Sequence, residues 1–350
     1  MVLTKLTIVA FDNVVDTLTL EQIMPRVVDT ILRSNTFATK MLSKTKRFGS
    51  ATMDFPIKYQ VGTAIQSFLG FDALPTSFTD TRVLMKYNPK FVAANVALAG
   101  TDLIANNTAA KVLDLTKVEM QSRAQDLADG LGTMMWGDGT GNASKDILGL
   151  KAIVDDGTDA ASIGGLARAT YTTLSGTRTS SATLSLATMR TMYNAIADAT
   201  IAPSRIYTDY PTWALYEQLL QPQEKIFKEV NIVPNYKGYE GFAGLMYAGM
   251  EIVPDRKATT GVMMFLNENY LDFYGLDADL AQFEGSRKVD VAGKLFTGNM
   301  YNEVSNLGFY WTGFIKTQNQ FAFNSFIILA GNLCTDNPRR HGKLINITGI

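Results

Sequence analysis

The stretch TAAKVLDLTKVEMQSRAQDLADGLGTMMWGDGTG, residues 108–141, decides how the rest of the chain is read. From Thr108 to Trp136 it holds no proline, and its only glycines, Gly130 and Gly132, sit near the far end. Leu113, Met120, Leu127 and Met134 recur every seven residues, with Ala110, Ala124 and Leu131 as a companion row. That spacing lays one apolar stripe along a helix. Asn106, Asn107 and Thr108 carry side-chain oxygens suited to capping the first turn. Gly137-Asp138-Gly139-Thr140-Gly141 predicts the stop, because glycine readily takes the left-handed conformation that ends a helix. At 1.5 Å per residue the rod would be about 43 Å long, well above the usual three turns. A rod so long, apolar on one face, is a structural spine and not an active-site scaffold.

The chain has 350 residues, enough for two or more compact units with their own cores. Apolar residues make up 46%, a globular value, and charged residues 19%, below the usual quarter, as when partners cover polar surface. Net charge is -1 and pI about 6.0, unlike a dedicated nucleic-acid clamp, which is normally basic. A single cysteine, Cys334, excludes an internal disulfide and fits a reducing compartment. There is no run of eighteen apolar residues, so no membrane span is expected. Asp12 and Asp16 interrupt the first eighteen residues, which lack a basic leader, so no signal peptide is read there and a soluble cytoplasmic product is expected.

Upstream of the spine, Leu20, Ile23, Val27 and Ile31 predict a short helix, with Pro25 in its first turn, followed by a basic exit through Lys40, Lys44, Lys46 and Arg47. Phe55 to Val61 and Thr81 to Leu98 are rich in β-branched and aromatic residues. Between them lie Gly62, Gly70 and Pro75, with Phe68, Phe71 and Phe78. The pattern predicts a long β-hairpin whose arms, of about twenty residues at 3.3 Å each, are too long to fold onto one small core. Downstream, Tyr171 to Ser185 reads as a loop, with nine Ser/Thr in fifteen residues. Helices are predicted from Leu186 to Ile196 and, capped by Asp209 with Pro211 in the first turn, through Leu220. Strands are predicted at 203–208, 250–253, 262–266, 309–316, 321–329 and 343–347.

Catalytic constellations mostly use histidine or cysteine, and the chain has one of each. His341 lies in Pro338-Arg339-Arg340-His341-Gly342-Lys343, among cations expected to lower its pKa, and reads as structural. A zinc site lacks ligands, and a serine triad lacks the Gly-x-Ser-x-Gly elbow. The glycines at 137–141 lack the Gly-Lys-Ser/Thr ending of a phosphate loop. Asp155, Asp156 and Asp159 lack the spacing of a calcium loop and read as a solvated turn. No catalytic, cofactor or metal residue is assigned. The Arg339–Lys343 cluster reads as inter-subunit ion pairs or a solvated edge, ahead of phosphate contacts. Phe68, Phe71 and Phe78 read as contact surface, because apolar patches on a projecting hairpin rarely stay exposed.

Four phrases in this order resemble the major capsid proteins of tailed bacteriophages, whose fold is named after phage Hong Kong ninety-seven. They are the spine running into Gly149-Leu150-Lys151-Ala152-Ile153; Ile206 to Glu217 with Leu219-Leu220-Gln221-Pro222-Gln223; Tyr247 to Asp255 followed by Gly261 and Phe265-Leu266-Asn267; and Gly331-Asn332-Leu333 with Asn337-Pro338-Arg339. The resemblance implies an α+β capsid fold, with 1–49 an N-terminal arm and 50–100 an extended β-hairpin loop. It further implies a peripheral domain from 101–142 with 288–350, carrying the spine, and an axial domain at 143–287.

A major capsid protein forms the icosahedral or prolate shell of a virion, assembled in the host cytoplasm as hexamers and pentamers around double-stranded DNA held without sequence specificity. Its expected partners are itself, a separate scaffolding protein, a portal and a decoration protein; no membrane, cofactor or enzymatic activity is implied. Expected inter-subunit contacts are Phe68, Phe71, Phe78, Lys46, Arg47, Arg339 and Arg340, with the arm lying along a neighbour. Some relatives crosslink a lysine to an asparagine; no motif matches that here, and Lys58, Lys86 and Lys90 are given no such role. The arm is also expected to stay uncleaved. Two competing readings are an encapsulin-like compartment, distinguished by enzyme cargo, and a carboxylate hydrolase, distinguished by substituting its acids. A third, a soluble binding module, would stay a monomer or small ring.

Overall fold

A computed structural model describes residues 35–62, 65–76, 78–105, 115–198, 201–220, 245–276, 309–311, 314–317 and 320–350. The expected Leu20–Ile31 helix, the cap at 106–108 and the first turns of the spine lie outside these. In chain order, helix α1 (Thr36–Ser43) precedes strands β1 (Lys46–Phe48), β2 (Met53–Lys58), β3 (Arg82–Tyr87) and β4 (Lys90–Ala99). Helix α2 (Gly100–Ala105), the spine α3 (Leu115–Trp136) and a short α4 (Leu150–Ile153) follow. Next come β5 (Ser162–Ile163), β6 (Leu166–Ala167), β7 (Thr177–Ser180), α5 (Leu186–Ile196), β8 (Arg205–Thr208) and α6 (Tyr210–Leu220). The chain closes with β9 (Leu245–Tyr247), β10 (Met250–Pro254), β11 (Met263–Leu266), β12 (Leu271–Leu276), β13 (Phe309–Trp311), β14 (Ile315–Lys316), β15 (Ala322–Thr335) and β16 (Gly342–Ile345).

Two mixed sheets of six strands carry the fold. The first runs β1-β12-β15-β13, with β14 and β4 also paired to β15; the second runs β7-β16-β11-β8-β10-β9. Both cross the expected segment boundaries. Strand β12, from the expected axial segment, pairs with β15, and β16, from the expected peripheral one, pairs with β11 and β7. The spine lies between the sheets' cores, where Leu127, Leu131, Met135 and Trp136 pack with Tyr207, Phe273, Leu329 and Leu333. The buried stripe differs slightly from the expected one: Ala124 is exposed and Met134 half-buried, while Met135 and Trp136 face inward. A second core under α5 and α6 holds Met189, Met192, Ile206, Tyr216, Phe265 and Leu344. Ser185 caps α5 reciprocally with Thr188, each backbone N–H donating to the other's hydroxyl at 3.1 Å.

The spine stops at Trp136, as the glycines predict. Gly149 then passes so close to the spine's end that a Cβ there would stand 2.2 Å from the Gly137 carbonyl oxygen. Only glycine fits, and the approach lets Lys151 N–H bond to that carbonyl at 3.1 Å. The side chain of buried Asn332 joins three elements: its Oδ1 accepts from Leu148 N–H at 2.9 Å and its Nδ2 donates to the Asn88 carbonyl at 2.8 Å, from within β15.

Within the expected arm, helix α1 packs into this chain's own core and β1 pairs with its β12. Phe37, Ala38 and Met41 are buried against the spine, with the Phe37 ring edge-on to Trp136 and Tyr207. The basic exit is also occupied: Lys40 and Lys44 pair with Glu268 at 2.5 and 3.3 Å, and Lys46 with Asp272 at 2.6 Å. Burial pushes the Glu268 pKa up, but Lys40, Tyr207 and Arg205 outweigh it and hold it low.

Candidate assembly surface

The expected second arm of the hairpin is two strands. Pro89 has no N–H to give a ladder, and the chain changes partner there. Before it, β3 pairs antiparallel with β2 from Met53↔Tyr87 to Lys58↔Arg82; after it, β4 pairs with β15 from Lys90↔Gly331 to Ala99↔Ala322. The hairpin proper therefore has a short, fixed root. Alternation turns Met53, Met85 and Tyr87 inward, onto Ile163, Leu174 and Cys334. Tyr87 donates its hydroxyl to the Thr335 carbonyl at 2.9 Å, and burial raises its pKa. Lys86 N–H bonds the Gly164 carbonyl in the β5–β6 turn at 2.8 Å. Tyr59 stacks edge-on with Tyr171, and its carbonyl accepts from the Thr173 hydroxyl at 3.0 Å.

Beyond the bond from Tyr59 N–H to the Thr81 carbonyl, the described residues of the excursion form no ladder. Val61, Ile65, Phe68, Leu69, Phe71, Leu74 and Phe78 are all exposed, Phe71 and Phe78 almost completely. Phe68, Phe71 and Phe78 thus all lie exposed on the excursion that leaves this fixed root.

The other expected contacts are scattered. Lys46 and Arg47 lie on β1, and Arg339 and Arg340 on a 3-10 turn. Arg340 pairs with Asp198 at 3.3 Å, while Arg47 and Arg339 are exposed. The expected basic cluster does not hold together. Lys343 is buried and pairs with Asp155 at 3.0 Å and Asp159 at 2.7 Å, because β16 runs beside β7 and faces that loop. Asp155 is accordingly no solvated turn. Its Oδ2 accepts from Gly157, Asp159 and Ala160 N–H, and the buried Arg168 guanidinium lies 3.6 Å away. Burial raises the Asp155 pKa, but those backbone bonds and Lys343 outweigh it and leave it lowered.

His341 is fully buried, and burial, not its cationic neighbours, lowers its pKa to about 4. Its Nδ1 accepts from Asn267 N–H at 3.2 Å, so the neutral ring carries its proton on Nε2, beside the Thr335 hydroxyl at 3.2 Å. Asp209 sits at the start of α6 as expected, its carbonyl accepting from Trp213 N–H at 2.9 Å. Cys334 is buried, and burial raises its thiol pKa. Among the described residues no helix is long and apolar enough to cross a membrane.

No family sequence model and no curated protein sequence matches the chain. Its structure is similar to a chain of the cyanophage A-1(L) capsid asymmetric unit, at TM-score 0.74 and 14% identity, over 96% of this chain and 99% of that one. It is also similar to the capsid of cyanophage P-SCSP1u, at TM-score 0.53 and 13% identity over 95% and 94% of the two chains. A third likeness is to the SrpI encapsulin complex from Synechococcus elongatus, at TM-score 0.58 and 10% identity over 96% and 95%. The α+β fold expected from the four phrases is thus the fold this chain has, over nearly its whole length: that of phage capsid chains.

Proposed function

We propose that this chain is the major capsid protein of a tailed bacteriophage, a structural subunit that closes into an icosahedral or prolate shell around double-stranded DNA. The observation that carries the reading is the hairpin. Its root is fixed in the subunit's core, while Val61 to Phe78 presents seven large apolar side chains to solvent. Such a surface is unfavourable in an isolated molecule and favourable once buried against another copy. Repeated, a contact of modest size builds a closed assembly.

Hexamers and pentamers are the proposed assemblies, with a scaffolding protein, portal and decoration protein as partners. A peripheral domain of 101–142 with 288–350 and an axial domain of 143–287 belong to this reading, with β12 and β16 each paired across that boundary. Near-neutral charge suits a container that holds DNA without gripping it. The encapsulin reading shares the fold, and purified particles separate the two: nucleic acid inside supports the phage reading, enzyme cargo the compartment.

The test is deletion of 62–80. The flanking Tyr59–Thr81 bond and the buried root stay in place, so circular dichroism of the variant should match the intact chain while sedimentation shows no shells. Normal shells, or an unfolded product, would contradict the assignment.

A further inference from the structure

The root of the hairpin carries a surface of its own. On the side of the β2–β3 ladder turned from the core, Asp54 stands opposite Lys86, Pro56 opposite Leu84, and Lys58 opposite Arg82, all exposed. Lys58 and Arg82 are thus cross-strand partners of like charge, an arrangement that costs stability unless an anion lies beside them. Among the described residues neither takes part in an ion pair. Leu84 and Pro56 make the centre of the face apolar.

The distal excursion has the opposite character. Residues 59–81 contain two acids and no lysine or arginine. Asp80 belongs to the root, its Oδ1 accepting from Arg82 N–H at 3.3 Å, and Asp72 alone lies at the tip. Asp72 is held in a tight turn, its Oδ2 accepting from Leu69 N–H at 2.9 Å and its own N–H bonding the Leu69 carbonyl at 3.3 Å. Phe71 projects from that turn almost completely exposed, so within one chain the tip touches nothing that would cover it. The hairpin is basic at its root, and acidic and apolar at its tip.

We propose that the Lys58–Arg82–Leu84 face of one copy receives the Leu69–Asp72 turn of a second copy. The Asp72 carboxylate pairs with the two cations, and the Phe71 ring covers Leu84 and Pro56. The contact rests on the shell reading and adds to it a register between copies. It joins two different surfaces of identical chains, so it is heterologous and repeats from subunit to subunit around a ring. Three cations with an acid among them and an apolar centre fit a carboxylate-bearing peptide better than a nucleic-acid backbone, which calls for more cations.

The test is a charge swap in the full chain, read by sedimentation of particles, their nucleic-acid content and circular dichroism. Asp72→Lys alone, and Lys58→Glu with Arg82→Glu, each lower particle yield on the order of tenfold or more at low salt, since apposed like charges disfavour a contact strongly. Combining all three restores the yield. Should a reversed charge unfold the root, Asp72→Cys with Arg82→Cys takes its place and yields disulfide-linked copies on oxidation.

Wild-type yields from the single reversals, no recovery in the combination, or no linked copies would overturn the proposal. So would normal yields of particles from Lys58→Glu with Arg82→Glu that have lost their nucleic acid, because the face then binds phosphate. A wild-type chain that forms no particles contradicts the shell reading itself, whereas wild-type particles with an ineffective swap contradict this contact alone.

Discussion

Asn35 lies in a notch that Gly132 leaves in the spine helix. Its Nδ2 donates to the Ala128 carbonyl at 2.7 Å, and a Cβ on Gly132 would stand 2.4 Å from its Oδ1. Helix α1 therefore enters the core through a gap in the spine, which explains a glycine that the helix itself would rather lack. Gly132→Ala gains about 1 kcal/mol of helix propensity but displaces Asn35 and its bond, worth about as much. In the intact chain the change should be neutral or destabilising; in an Asn35→Ala background it should stabilise by about 1 kcal/mol. Urea denaturation of the four proteins measures the coupling, and equal effects in both backgrounds would show that the two residues do not meet.

Leu127→Asp should destroy folding or assembly. Leu127 is buried in the core between spine and sheets, and an unpaired carboxylate there costs several kcal/mol, comparable with the stability of a domain. Normal particle yields from this variant would show that the stripe is not buried.

Asp155→Ala should cost about 3–5 kcal/mol, because it leaves Arg168 and Lys343 buried with one anion fewer. Chemical denaturation reads the loss. A change below about 1 kcal/mol, the scale of an exposed ion pair, would mean that water reaches the cluster.

Stability should fall on the acid side, first through His341. Its pKa is lowered by burial from 6.5 to about 4, so the folded state favours the neutral ring. The contribution is complete above pH 6.5 and is lost as pH falls toward 4, amounting to on the order of 3 kcal/mol. Asp155 and Glu268, both lowered, add losses below the ordinary carboxylate range. Unfolding midpoints measured across pH should show the first slope in the intact chain and lose it in His341→Gln. An unchanged slope in that variant would assign it elsewhere.

The spine, helices α5 and α6, and the aromatic excursion are legible because each depends on local pattern: a seven-residue repeat, helical apolar spacing with Asp209 before Pro211, a run of turn residues between strand formers. The division of 81–98 at Pro89 was equally visible as a residue, but its consequence depends on β15, more than two hundred positions away. Lys343 looked like part of an exposed basic cluster because a period-2 strand pattern does not say which acids lie across the next strand. The intrachain partners of Lys40, Lys44 and Lys46 are hidden for the same reason, since Glu268 and Asp272 are distant in sequence. The basic root face needed the register Lys58↔Arg82, which only the folded ladder supplies.

The central claim is that copies of this chain close into a shell. Negative-stain microscopy of the purified full-length protein tests it most directly. The account predicts uniform closed particles built from many subunits; monomers or small rings under every assembly condition would contradict it.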